Sequence, residues 1–271
     1  MSAWLGPLGN MVEFAHYKGS ASTDLDRQVT FTETIGGGRF SQVSPTTGLR
    51  TWSLSATYMD PSQWAGFDLL TMGAYGDQHW FLEPLSLVTN VISPLRSLPG
   101  LGGNLNGTAG DALAGGLLTT PDGVRVPSVV SGGGPVYLRF DAPVLPGEVF
   151  TVSVYMSSAG TAILNFVDAG GNYVSGAGGL TKPGTGSVVR AFKTETAPPG
   201  AAAAYLTITG ASVVAAPALS WTKTLMPWAR GRGCEKAVIH GISDSTVLAG
   251  RWDQQQVADF DFTVTEVGVG A

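Results

Sequence analysis

The chain has 271 residues, of which 44% are apolar and only 13% charged, with 15 basic against 20 acidic side chains for a net charge of −5. That balance argues against a duplex nucleic-acid binder, which needs a basic face to release counterions. Eleven Phe, seven Trp and seven Tyr argue against disorder, while 38 Gly and 16 Pro favour short strands joined by tight turns.

In chain order, the opening MSAWLGPLGNMVEF has neither the basic start nor the long apolar run of a secretory signal. Arg27–Ile35 (RQVTFTETI) reads as a strand with Val29, Phe31 and Ile35 on one face, broken by Gly36-Gly37-Gly38. Thr51–Tyr58 (TWSLSATY) places Trp52, Leu54, Ala56 and Tyr58 on one face and Ser or Thr on the other, the alternation of a half-buried strand. Asp60-Pro61-Ser62 predicts a helix start, with Asp60 as N-cap and Pro61 in the first turn. Trp64, Phe67, Leu69, Leu70 and Met72 continue that helix, Gly73 or Gly76 ends it, and a strand around His79–Leu82 follows.

Near Asn90 the composition shifts towards Gly, Ala, Ser and Val. Residues 91–221 hold six basic and six acidic side chains, so the remainder, nine basic against fourteen acidic, carries the whole −5. Such a contrast is expected of an independently folding insert. Within it PVYLRF, FTVSVYM, AILNFVD, YVSG, SVVRAFKTE and AYLTITG recur as short alternating strands, and the turn DAGGN joins two of them as a hairpin. Thr196–Thr222 carries no charge, but Pro198, Pro199, Gly200, Gly210 and Pro217 interrupt it. It reads as a buried strand with its loops, not as a membrane span. After Trp221, KAVIH and DFDFTVTEV are again strands, the second with Phe260, Phe262 and Val264 inward.

The residues beyond Trp221 are too few to bury a core alone, so they are expected to pair with the first ninety. The predicted fold is all-β: a discontinuous β-barrel or sandwich from residues 1–90 and 222–271, with one short helix, carrying residues 91–221 as an inserted jelly-roll-like β-sandwich.

Catalytic signatures are scarce. The sequence has no GxSxG elbow, HExxH, Walker loop, or GxGxxG between strand and helix. His16, His79 and His240 lie in separate segments. His240, Ser243 and Asp244 hold the residue types of a hydrolase triad, but three groups so close on a strand end do not converge as one requires. The single cysteine, Cys234, excludes an intrachain disulfide and any multi-cysteine zinc centre, and reads as a thiol without a function despite its basic neighbours in RGRGCEK. Asp168 and Asn172 of DAGGN are oxygen donors, yet two such groups in a turn read as turn chemistry before calcium ligation. The expectation is a non-enzyme without cofactor or metal.

One pattern points to a ligand. If the insert strands turn their apolar residues to the core, their outer faces present Tyr137 and Arg139, Ser153 and Tyr155, Tyr205 and Thr207, with Asn165 in phase. Tyr137, Arg139, Tyr155, Asn165 and Tyr205 would then form an aromatic platform for a sugar ring, with ring faces meeting C–H surfaces and polar groups orienting the ligand. Against this stands the reading that the tyrosines lie on different sheets or meet neighbouring subunits.

TWSLSATYMDPSQWAGFDLLTMGAYG with HWFLEP near the start, and LMPWARGRGCEKAVIHGISDS with FDFTVTEVG near the end, resemble minor tail proteins of siphophages infecting actinobacteria, of the distal tail protein kind. In the middle, VLPGEVFTVSVYM, AILNFVDAGGNYVSG and PALSWT resemble a carbohydrate-binding-module jelly roll. The first resemblance implies a virion protein of the tail tip. Its end segments would form a homo-oligomeric ring joining tail tube to tip, in contact with other tube and tip proteins, and its insert would project outward. The second implies, as the alternative, an adhesin for host cell-wall glycan. Neither implies sequence-specific nucleic-acid binding or membrane insertion.

Overall fold

The computed structural model describes residues 2–14, 24–26, 29–33, 39–43, 49–59, 61–183, 186–248 and 257–268. His16, Ile35, Gly36-Gly37-Gly38, the Asp60 cap and the Tyr58 side chain, all invoked above, lie outside what is described. The fold is all-β. In chain order its elements are β1 (Ala3–Gly6), β2 (Val12–Phe14), β3 (Asp24–Asp26), β4 (Val29–Glu33), β5 (Arg39–Val43), β6 (Leu49–Met59), α1 (Pro61–Thr71), β7 (His79–Leu82) and α2 (Pro84–Thr89). There follow β8 (Thr108–Thr119), β9 (Arg125–Pro143), β10 (Val149–Ser157), β11 (Thr161–Val167), β12 (Tyr173–Gly179), β13 (Val188–Thr196), β14 (Ala203–Thr209) and β15 (Val213–Ser220). The last two strands are β16 (Cys234–Leu248) and β17 (Val257–Glu266).

Contacts divide the chain into two compact units. One holds Met1–Gly6, Val12–Phe81 and Glu235–Ala271, the other Pro7–Met11 and Leu82–Cys234. The first unit is built on a seven-stranded sheet in the order β2-β1-β7-β16-β17-β6-β3. The C-terminal pair β16–β17 is thus hydrogen-bonded between strands from the start of the chain. Alternation along β6 and β17 sends Trp52, Leu54, Ala56, Phe260, Phe262 and Val264 into the core. Phe67 of α1 packs on Phe262 and Phe260 at ring separations of 4.8 and 5.2 Å. Glu266 keeps the inward phase of β17 and is buried, because Arg50 meets it with Nε to Oε2 at 2.8 Å and Nη2 to Oε1 at 2.9 Å. A two-pronged pair of this kind removes most of the cost of burying the carboxylate. At the end of α1 the Gly73 amide donates to Leu70 O and the Ala74 amide to Leu69 O, with Gly73 in the left-handed region at φ +73°. That pattern stops a helix where a side-chain-bearing residue would be strained.

The second unit is a sandwich made from one continuous ladder, β12-β11-β14-β9-β15-β10-β13, with β8 also paired to β9. The long β9 serves both layers. Its first half pairs with β15 over Ser128–Val130, and its second half pairs with β14 over Val136–Pro143. The glycine run Gly132-Gly133-Gly134 lies between the two halves, with Gly133 at φ +127°. One layer is therefore β12, β11, β14 and the end of β9; the other is β13, β10, β15 and its start. Phe150 of β10 and Phe166 of β11 meet edge to face at 5.7 Å across the interior, although their strands are not neighbours in the ladder.

The structure adds two features to that outline. A second helix, α2, joins the one foreseen: Pro84 opens it, and the Ser86 hydroxyl donates to Glu83 O at 2.7 Å. The second unit also extends beyond residues 91–221 at both ends, because hydrogen bonds join its incoming and outgoing segments. The Val91 amide donates to Leu219 O at 2.8 Å, Trp221 to Leu87 O at 2.7 Å, Arg232 to Asn90 O at 2.9 Å and Gly233 to Ile92 O at 3.2 Å. Asn90, fully buried, uses its whole side chain here: Nδ2 donates to Ala229 O at 3.0 Å and Pro217 O at 3.3 Å, while Oδ1 accepts from Leu219 N at 3.1 Å and Ile92 N at 3.2 Å. Gly231 passes so close to the Ile92 and Ser93 carbonyls that a Cβ would collide with them.

Candidate functional site

The expected platform residues fall on two different outer faces. On the layer containing β14, alternation buries Leu138, Phe140, Leu164, Phe166, Leu206 and Ile208. It turns Tyr137, Arg139, Asn165, Tyr205 and Thr207 outward, where all but the largely buried Asn165 are partly exposed. Asn165 stands directly across from Tyr205, and Thr207 across from Tyr137. The Asn165 amide donates to Thr207 Oγ1 at 3.0 Å and Ile163 O at 3.2 Å, which fixes its orientation. Opposite Tyr205 the register of β9 shifts, and Asp141 there takes φ +41°. That bulge brings the Arg139 guanidinium over the Tyr205 ring at 4.5 Å, while Arg139 Nε donates to Asp141 Oδ1 at 3.0 Å. One ring face of Tyr205 is therefore already covered by a cation.

Sequence reasoning missed Tyr173 of β12. Its side chain is 63% exposed, and its hydroxyl lies beside Gly176, which pairs with Asn165. The signal was present: YVSGAGG alternates poorly, but beyond Val174 it holds only Gly, Ser and Ala, which leaves the strand surface bare of large side chains around one aromatic ring. Tyr173, Asn165, Tyr205, Thr207, Tyr137 and Arg139 thus share one face, spread over four neighbouring strands.

Tyr155 does not belong to that face. It is fully buried on the other layer, in a second small core with Val126, Ala215 and Ala216, beneath Leu98, Leu118, Val124, Val188 and Trp228. Its hydroxyl donates to Asp122 Oδ2, and the Arg190 guanidinium lies 5.4 Å from its ring. Burial first, and the hydrogen bond to Asp122 second, push the Tyr155 phenol up to about 12. The alternation of β10 was read correctly, but its outer face is covered. Thr151 and Ser153 are buried there too, with Thr151 Oγ1 donating to Thr222 O at 2.7 Å and Ser153 Oγ accepting from Arg190 Nη2 at 3.1 Å.

The remaining candidates resolve into structure. His240 is exposed, and its Nε2 lies 2.9 Å from Thr265 Oγ1 on the neighbouring strand, so its ring turns away from Ser243 and Asp244. His79 is buried, which pulls its pKa below the usual histidine value, and Cys234 is buried as well. Asp168 Oδ1 accepts from the Gly170 and Asn172 amides, both at 2.9 Å, and the Asn172 side chain bonds the same carboxylate. Those bonds, the Asn172 side chain first, hold the Asp168 carboxyl below its usual value. Among the described residues no group of three or more His, Cys, Asp and Glu side chains could hold a metal ion, and no helix is long and apolar enough to cross a membrane.

No protein-family model matches the chain, and no curated protein matches it. Among solved structures it is similar to the enzymatically active domain of tailspike protein 4 from bacteriophage CBA120, at 15% identity and a TM-score of 0.37, over 48% of this chain and 21% of that one. It is also similar to the CBM22-1–GH10 modules of Clostridium thermocellum endo-1,4-β-D-xylanase 10B complexed with xylohexaose, at 12% identity and a TM-score of 0.34, over 49% of this chain and 28% of that one. The chain thus spans less than a third of either, and likenesses at these scores carry no functional argument.

Proposed function

We propose that the chain is a non-enzymatic structural protein of a phage tail tip, in the manner of distal and minor tail proteins. In this reading the unit formed by the two chain ends assembles as a ring with copies of itself and joins tail tube to tip. The second unit decorates the ring, and the protein resides in the virion. The observation that carries the reading is the interleaving of the chain ends. The segments that resemble minor tail proteins come from opposite ends of the sequence, yet β16 and β17 lie between β7 and β6 in a single sheet. A chain with only 13% charged residues suits broad, weakly charged contacts between copies. Negative-stain electron microscopy of the purified chain, with its mass in solution, tests this. Closed rings are expected, alone or after mixing with tail-tube protein; a monomer under both conditions overturns it.

A second reading, a host cell-wall glycan adhesin, is favoured by the face carrying Tyr173, Asn165, Tyr205 and Tyr137. Sedimentation of the protein with cell-wall fragments is expected to fall on Tyr173→Ala or Tyr205→Ala. Retention of both variants would remove this reading and leave the first intact.

A further inference from the structure

A cleft of about 370 Å³ opens on the covered side of the sandwich, away from the tyrosine face, with Pro121, Asp122, Pro183, Val188, Arg190 and Leu225 among its lining residues. Its charges are unevenly met. Arg190 Nε and Nη2 both reach the neutral Ser153 hydroxyl, at 3.3 and 3.1 Å, and among the described residues no carboxylate stands at ion-pair distance from the guanidinium. Burial pulls its pKa down, while Tyr155 and the Asp122 charge oppose that shift. Half-buried cations are ordinarily matched by an anion. Asp122, for its part, receives the Tyr155 hydroxyl on Oδ2, and its side chain is exposed, leaving Oδ1 able to accept a further bond. Around these two groups the lining is proline, valine and leucine.

We infer that this cleft binds a small organic acid: its carboxylate on the Arg190 guanidinium, an adjacent hydroxyl or ammonium donor on Asp122, and its C–H surface against Pro121, Pro183 and Leu225. Hexuronic acids and α-amino acids both carry that chemistry. The geometry favours them over a neutral sugar, which would leave the guanidinium unmatched, and over a dianion, which Asp122 would repel. A cleft of this volume is at the small end of ligand pockets and suits one such unit. The site is separate from the tyrosine face and does not depend on the ring reading. It rests on Arg190, Asp122 and Tyr155, whose mutual fixation holds the two charges in place without a ligand.

Saturation-transfer NMR and titration calorimetry on the full chain, with glucuronate, alanine and glucose as probes, provide the test. One of the two acids is expected to bind with Kd on the order of 1 mM, and which of them does so identifies the source. Glucose is expected to show no saturable binding. Arg190→Gln should weaken the acid at least about tenfold, the loss of one charge-assisted contact. Leu225→Trp, which fills the cleft from a partly exposed position outside the Tyr155 core, should give the same loss, so the outcome does not hang on the folding of one variant. Tyr205→Ala should leave acid binding unchanged. The inference is overturned if neither acid binds, if glucose binds as well as they do, or if acid binding survives both Arg190→Gln and Leu225→Trp.

Discussion

The two outer faces of the sandwich have nearly the same sequence grammar and opposite fates. Along β9 and β14 the outward residues are Tyr137, Arg139, Tyr205 and Thr207, and they stay partly exposed. Along β10 they are Thr151, Ser153 and Tyr155, and all three are buried. The difference does not lie in the alternation of β10. It lies in what packs over Tyr155: Leu98 and Trp228 from the segments that flank the sandwich, with Val124, Leu118 of β8 and Val188 of β13. Period-two alternation identifies the two sides of a strand, but whether the second side meets water is decided elsewhere in the chain.

The largest effect should follow from breaking the covered face. Tyr155→Ala removes a fully buried ring and leaves Asp122 without its donor, so a loss of about 3–5 kcal/mol is expected in urea unfolding of the full chain. A loss under about 1 kcal/mol would mean that the flanking segments merely rest on β10 and that the two faces are equivalent after all.

That contrast also sets what was legible in the sequence. The second half of β9, the strands β10 to β14, the β11–β12 hairpin and the inward residues Phe150, Val152, Val154 and Met156 could be read from alternation because burial on one face is a local property, whereas β8, the first half of β9 and β15 were not read. The helix beginning at Pro61 and a glycine stop at Gly73 or Gly76 could be read because they rest on local backbone geometry. The burial of Tyr155 could not, since its cover is gathered from places far apart in the chain, from Leu98 to Trp228. Nor could the role of Asn90, whose four bonds join residues 92, 217, 219 and 229; the shift in composition at Asn90 marked the place and not the reason. Tyr173 was missed because glycines interrupt the pattern of its strand, and Glu266 broke the apolar phase of β17 for want of knowing that Arg50 faces it.

Next in size is the junction that holds the flanking segments in place. Asn90→Ala leaves the Pro217 and Ala229 carbonyls and the Ile92 and Leu219 amides without their side-chain partner in a buried site, at a cost of about 3 kcal/mol. Asn90→Asp should cost nearly as much, because a carboxylate cannot donate to either carbonyl. If both variants unfold like the parent, the flanks are held by the covered core alone.

The covered face should also reveal itself through alkali. The Tyr155 phenol titrates near 12 in the folded chain, against 10.0 for the free group. Because the folded pKa is raised, its contribution is fully present below pH 10 and is lost as pH climbs from 10 towards 12, amounting to about 2–3 kcal/mol at most. Other tyrosines and lysines titrate in the same window, so the measurement is the difference between parent and Tyr155→Phe. The variant is expected to show a shallower loss above pH 10. Parallel curves would place the Tyr155 hydroxyl in water.

The open face should respond least, and its response separates a prepared surface from a structural one. Arg139 covers one side of the Tyr205 ring, but both side chains are partly exposed, and Arg139 also engages Asp141. Solvent screens such a contact, so the double-mutant cycle of Arg139→Ala and Tyr205→Ala is expected to give a coupling of about 0.5–1 kcal/mol, with each single change costing about 1 kcal/mol or less. A coupling well above that range would mean that Arg139 closes Tyr205 into the fold as firmly as Asp122 closes Tyr155. The bulge at Asp141 would then serve packing, and the ring would not be free to meet a ligand. A coupling within the expected range leaves Arg139 able to swing aside, with the strain at Asp141 accounted for by the position in which it holds that cation.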